Sequence, residues 1–190
     1  MSNYTYPTLP SGSDSIRLLR LLPHKDNTAN IQCEIFEYSL QNARETHLYE
    51  ALSYVWGNPN KKLPIFIHKE SIEVTVNLHA ALLRLRNHSF ERILWVDAIC
   101  ISQDNKEEKE HQIRFMARIY SQANRVVVWL GDSADDSDLA LEEIRVARDK
   151  HFTESNNERI QQAVLALLQR PWFERIWVRE QTPNHIHTCY

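Results

Sequence analysis

An α/β fold follows from three features of the 190-residue chain. Helical and strand-like patterns alternate from Leu78 onward. The runs "RILWVDAIC" and "RVVVWLG" are apolar almost throughout, as strands covered on both faces are. An amphipathic helical pattern separates them and supplies the crossover that parallel strands require. The expected architecture has three layers, a mostly parallel sheet flanked by helices. The strand-rich N-terminal third adds an antiparallel hairpin at the sheet edge.

In order, the polar residues 1–15, with Pro7, Pro10 and Gly12, read as a loose arm. "SIRLLRLLP" is a short strand ended by Pro23. "IQCEIFEYSL" alternates Ile31, Cys33 and Ile35 with Gln32 and Glu34, the pattern of a half-buried strand. "YEALSYVWG" is a third strand, stopped by Gly57 and Pro59. "LPIFIHKESIEVTV" reads as a hairpin turning near Lys69 and Glu70. Asn77 is placed to cap the helix "LHAALLRLR". After "RILWVDAIC", Asp104 and Glu107 match a capping box, opening a helix that runs to about Ala123. Its apolar stripe is read as Ile113, Met116, Ala117 and Tyr120, buried against the sheet. "DSADDSD" caps the next helix, a further one runs from about Ser155 to Leu168, and Pro171 breaks it. "WFERIWVRE" then resumes a helix or forms a strand.

Composition excludes several functions. The net charge of -3 and pI of about 6.3 offer no electrostatic pull toward nucleic acid or anionic membranes. The opening residues lack the basic and apolar regions of a signal peptide, and no apolar run has the length of a bilayer span. Cys33, Cys100 and Cys189 are odd in number and far apart, as free thiols in a reducing compartment are. The expected location is the cytoplasm. Gly12, Gly57 and Gly131 are the only glycines and none are close together, which removes the clustered-glycine phosphate loops.

In an open α/β sheet, ligands bind beyond the carboxyl ends of the strands. Polar residues gather there in this sequence: Ser53, Trp56 and Gly57 after one strand, Asp97, Cys100 and Gln103 after another, Asp132 after a third. With Trp95 and Trp129 nearby, the picture is an aromatic-lined small-molecule crevice. Asp97 and Asp132 are expected to border that one crevice with Trp56. Each residue alone also has a structural reading: the tryptophans as core, the aspartates as helix or turn caps. Cys100 is read as core. Ser53 lacks the glycine-flanked elbow of a hydrolase nucleophile. His185, His187 and Cys189 alternate but lack a fourth ligand, so no metal site is expected.

Four blocks carry a family resemblance: "YEALSYVWG", "ILWVDAICISQDN", "EKEHQIRFMARIYSQANRVVVWLGD" and "RPWFERIWV". Together they resemble the fungal heterokaryon-incompatibility (HET) domain. The resemblance implies an arm at 1–15, the HET domain at 16–181 and an irregular tail at 182–190, in a stand-alone or shortened member. It implies a part in non-self recognition and programmed cell death when incompatible fungal strains fuse, through protein partners or self-association. HET domains look like remote relatives of Toll/interleukin-1 receptor (TIR) domains, which implies a TIR/flavodoxin-like sheet. Some TIR domains cleave NAD with one glutamate, four positions after a tryptophan. In Trp177-Val178-Arg179-Glu180-Gln181 that position holds Gln181, and Glu180, the one candidate catalytic carboxylate, comes a residue early. One helical step rotates a side chain by about 100°. The resemblance therefore implies no cofactor, NAD as the single substrate to consider, and little or no cleavage of it. A signalling module and an inactive remnant are favoured over an NAD-cleaving enzyme.

Overall fold

The computed structural model describes residues 4–10, 14–40, 47–149, 157–174 and 186–189. Its centre is an eight-stranded sheet in the order β5-β4-β2-β1-β6-β3-β7-β8. The strands are β1 (Ser15–Leu21), β2 (Gln32–Ser39), β3 (His47–Tyr54), β4 (Lys62–Ile67), β5 (Glu70–Thr75), β6 (Arg92–Trp95), β7 (Ala123–Trp129) and β8 (Ile186–Cys189). The helices are α1 (Val76–Leu85), the single turn α2 (Asp97–Cys100), α3 (Lys106–Gln122), α4 (Ser137–Asp149) and α5 (Glu158–Leu168), followed by a 3-10 helix at Pro171–Glu174.

The pairings show how far the parallel expectation holds. β3 pairs in parallel with both β6 and β7, β7 with β8, and β2 with β4, while β1 is antiparallel to both its neighbours and β5 to β4. All strands but β1 and β5 thus run one way. The β4–β5 hairpin lies at the sheet edge, and His68 and Lys69 turn it with positive φ. β6 and β7 are parallel but not adjacent, because β3 lies between them. Glu50 of β3 pins that arrangement, accepting from Arg92 of β6 and from Arg125 of β7.

Successive strand side chains alternate in direction. On one face Tyr49 Oη donates to the carbonyl of Ile119 in α3, and Trp95 meets Tyr120 of α3 edge-on at 5.5 Å. On the other, Tyr54 shares a cavity wall with Leu78 of α1, and Trp129 bonds Asn77 of α1. Helices therefore cover both faces. Leu18, Leu19, Leu52, Leu94, Val127 and Leu82 are buried between the layers. α4 and α5 close a second, smaller cluster around Ala140, Leu141, Ala163 and Leu167.

Several local expectations are corrected. Thr75, not Asn77, caps α1, its hydroxyl accepting from Leu78 N–H. Asn105, not Asp104, caps α3 and accepts from Glu108 N–H. The buried stripe of α3 is Gln112, Ile119 and Tyr120, with Phe115 and Met116 half-buried, whereas Ile113 and Ala117 are exposed. The cause lies in β1. Arg17, 1% exposed, turns Glu108 inward through paired bonds of 2.6 and 2.9 Å, and Gln112 one turn later donates to the carbonyl of Ser15. Two polar contacts thus set the helix phase that an apolar stripe was expected to set.

Residues 4–10 are no loose arm. Arg17 donates to the carbonyl of Pro7 from Nε and Nη2, its guanidinium lies 5.0 Å from the Tyr6 ring, and Tyr4 packs edge-on against Tyr6. The tail is not irregular throughout either, since Ile186–Cys189 extends the sheet beside β7. The outer edge of β7 offers unpaired backbone groups, which a further strand satisfies.

Candidate functional site

The carboxyl ends of β3 and β6 are side by side, and the chain turns sharply after each. After β3, Gly57 adopts φ +76, a conformation that disfavours side chains, and a Cβ there would lie 3.2 Å from the Cβ of Asn77. After β6, α2 begins directly at Asp97, whose Oδ1 accepts from its neighbour's N–H, Ala98, at 2.7 Å.

Asp97 organises what lies between them. Its Oδ2 accepts from the indole Nε1 of Trp56 at 3.0 Å, and its carbonyl accepts from Gln103 Nε2 at 3.0 Å. Gln103 Nε2 also donates to the carbonyl of Ile101 at 3.3 Å, so two acceptors fix the amide's orientation. Its Oε1 is buried and has no hydrogen-bond partner among the described residues. Trp56, held by its edge, stays 43% exposed. The two residues share the wall of a cavity of about 370 Å³, within the range of small-molecule sites. Tyr54, Tyr4 and Tyr6 complete its aromatic lining, and Lys62, Glu73 and Asp104 supply its charges. Burial pushes the Tyr6 hydroxyl up to about 12, so Tyr6 stays a neutral donor.

The other expected lining residues are elsewhere. Asp132 borders a different cavity, of about 610 Å³, with Arg84, Arg86 and His88, while Trp56 borders the first and Asp97 is on neither wall. The strand order explains this: β3 separates β6 from β7, and Asn77 fills the gap behind it. Its Nδ2 donates to the carbonyl of Val55 at 2.5 Å, and its Oδ1 accepts from Trp129 Nε1 at 2.9 Å. Ser53 is 2% exposed and accepts from Trp172 Nε1 at 3.0 Å, so it braces the 3-10 helix and is on neither cavity wall. Trp95 and Trp129 are core. Gly57 forms the turn and is not part of either cavity wall. Cys100 is core: burial raises its thiol to about 12, and it accepts from Val96 N–H. Glu180, with Trp177 and Gln181, lies outside the described residues. Among the described residues no cluster of His, Cys, Asp or Glu is arranged to hold a metal ion, and no helix is long and apolar enough to cross a membrane.

Sequence reasoning missed Tyr4, Tyr6, Tyr54 and the hairpin residues of the cavity. A proline-rich arm gives no periodic signal, and only the fold brings β5 over the end of β3. It also missed Arg170, which donates to the carbonyls of Leu130 and Ala134 and holds the loop after β7. That contact explains part of a sequence pattern: Arg170 and Trp172 of "RPWFERIWV" anchor to the ends of "VVVWLGD" and "YEALSYVWG".

Comparison with known proteins agrees with these blocks. The family model described as "Heterokaryon incompatibility protein (HET)" matches residues 49–180. The chain is 36% identical over 153 residues to "Heterokaryon incompatibility protein 6, OR allele" of Neurospora crassa, an alignment covering 74% of this chain and 22% of that protein. The chain thus spans about a fifth of the length of the curated relative it matches. No solved structure matches it.

Proposed function

Since the chain belongs to the heterokaryon incompatibility (HET) family, we propose that it acts in fungal heterokaryon incompatibility, as a cytoplasmic module that signals non-self recognition and cell death. The observation that carries this reading is the family match itself, running through the blocks that build the ends of β3, β6 and β7. The module would work by self-association or by contact with other proteins of the response. A low net charge and the lack of a membrane-spanning helix among the described residues suit a protein partner.

NAD cleavage is the lesser reading. It rests on Glu180 alone, and Gln181 holds the position that a TIR-like glutamate would take. Stabilising positive charge that develops on a ribose requires a carboxylate aimed at it, which a neutral amide cannot replace. Inducible expression in a filamentous fungus tests both. Growth arrest on induction without a fall in cellular NAD supports the proposal. Unchanged growth at good expression overturns it. Arrest with NAD loss that Glu180→Ala abolishes supports the enzyme instead.

A further inference from the structure

We infer that the cavity beside Trp56 is a docking site for an extended segment of a partner protein, one that carries prolines flanked by a basic residue. The wall itself points to that partner, whatever the family role.

Tyr4, Tyr6, Tyr54, Trp56 and Pro59 share that wall. Grooves lined by aromatic residues are where polyproline II segments dock, because that helix is preformed and has no internal hydrogen bonds to break. Trp56 turns its N–H edge away from the cavity, since Nε1 is bonded to Asp97 and Asp97 is not on the wall. The indole therefore meets the cavity with carbon, and at 43% exposed it is open to a ligand. Tyr6 adds a donor within reach. It is half-buried, and its hydroxyl is neither enclosed nor hydrogen-bonded to another of the described residues. The carbonyls of a polyproline II segment are unpaired and can accept from it.

Charge narrows the partner. Glu73 and Asp104 are both exposed on the wall and make no ion pair among the described residues. Lys62 is the single cation facing them across the cavity lining. Complementarity therefore favours a basic side chain beside the prolines and disfavours an acidic one. A volume of about 370 Å³ is too small for a helix roughly 10 Å across and suits a few side chains of an extended chain.

The test is a titration of the whole ¹⁵N-labelled chain with the amidated peptide Arg-Pro-Leu-Pro-Pro-Leu-Pro, following the five tryptophan indole signals. Trp56 is assigned through Trp56→Phe. One analogue has alanine for every proline, and another has glutamate for the arginine. The expected result is a saturable shift of the Trp56 signal with the first peptide. The alanine analogue has to be ordered on binding and should bind about tenfold more weakly. The glutamate analogue should bind about three- to tenfold more weakly. These comparisons need no variant. Tyr6→Phe keeps the ring, loses one hydrogen bond and should weaken the first peptide about two- to tenfold. Glu73→Gln with Asp104→Asn should remove the preference for arginine. The Trp129 and Trp172 signals report whether each variant is folded. No shift of Trp56 up to the solubility limit, equal binding of the alanine analogue, a preference for glutamate, or a preference for arginine that survives in the folded double variant would overturn the inference. So would a peptide-free dimer that Trp56→Ala abolishes, since the wall would then belong to a second copy.

Discussion

The indole nitrogen of Trp56 and the carboxylate of Asp97 meet at 3.0 Å, tying the turn after β3 to the turn after β6. The same aspartate carries Gln103 on its carbonyl, so the chain's two most conspicuous polar positions form one unit. Removing the carboxylate should free the indole. In Asp97→Ala the Trp56 emission should move toward that of a solvated indole. Asp97→Asn keeps an acceptor oxygen and should resemble wild type. The stability loss for Asp97→Ala should be about 1–3 kcal/mol, because its carboxylate accepts from both Trp56 Nε1 and Ala98 N–H. Unchanged emission in Asp97→Ala would show that the bond does not hold the ring.

Arg17 should be among the most sensitive positions in the chain. It is 1% exposed and joins β1 to Glu108, the carbonyl of Cys100 and the carbonyl of Pro7. Arg17→Ala strands a partly buried Glu108 and releases the arm, and should cost about 3–5 kcal/mol. Arg17→Ala combined with Glu108→Gln should lose less than the two single effects added, since the pair acts as a unit. Urea denaturation of the four proteins measures this, and strict additivity would refute it.

Glu108 also gives the fold an acid limit. Burial raises its carboxyl, but the bonds from Arg17 and from Ser102 N–H together outweigh burial and hold it below the usual glutamate range. A group whose folded pKa is depressed contributes stability above its unfolded pKa, about 4.3, and loses it as pH falls through the folded value. Stability should therefore drop below about pH 4, and Glu108→Gln should flatten part of that drop while being less stable at neutral pH. A Glu108→Gln profile parallel to wild type from pH 3 to 7 would contradict the assignment.

The phase of α3 is open to a direct comparison. Ile119 is fully buried, while Ile113 is 43% exposed. Ile119→Ala should cost about 2–5 kcal/mol as a core truncation. Ile113→Ala should cost well under about 1 kcal/mol, as surface changes do. Equal losses would return Ile113 to the core.

Cys33 and Cys100 should resist alkylation in the native state. Burial raises both thiols to about 12, and only the thiolate reacts. Peptide mapping after a brief maleimide pulse should find both unmodified until denaturant is added.

The strands and helices were legible because their apolar periodicity is strong, as in "RVVVWLG" and "LHAALLRLR". The features that failed are those in which a buried polar residue replaces an apolar one. Gln112 and Glu108 occupy the inward face of α3, and a pattern of hydrophobic residues alone selects Ile113. Asn77 has the residue type of a cap but lies inside α1, where it joins Val55 to Trp129. The structure brings Trp56, Asp97 and Gln103 together, as their place after strands suggests. Asp132 was misplaced because sequence does not say that β3 lies between β6 and β7. Ser53 was misplaced because its partner, Trp172, is 119 residues away.

The proposed role in incompatibility signalling rests on the family match, and Asp97 lies in one of the blocks that match runs through. Its most direct test is induced expression of wild type and Asp97→Ala at matched levels in a filamentous fungus, scoring growth arrest. Arrest by wild type and growth with Asp97→Ala is the predicted result, provided the variant remains folded. Unchanged growth with both proteins would contradict the role, and arrest of equal strength by both would contradict a part for Asp97 in it.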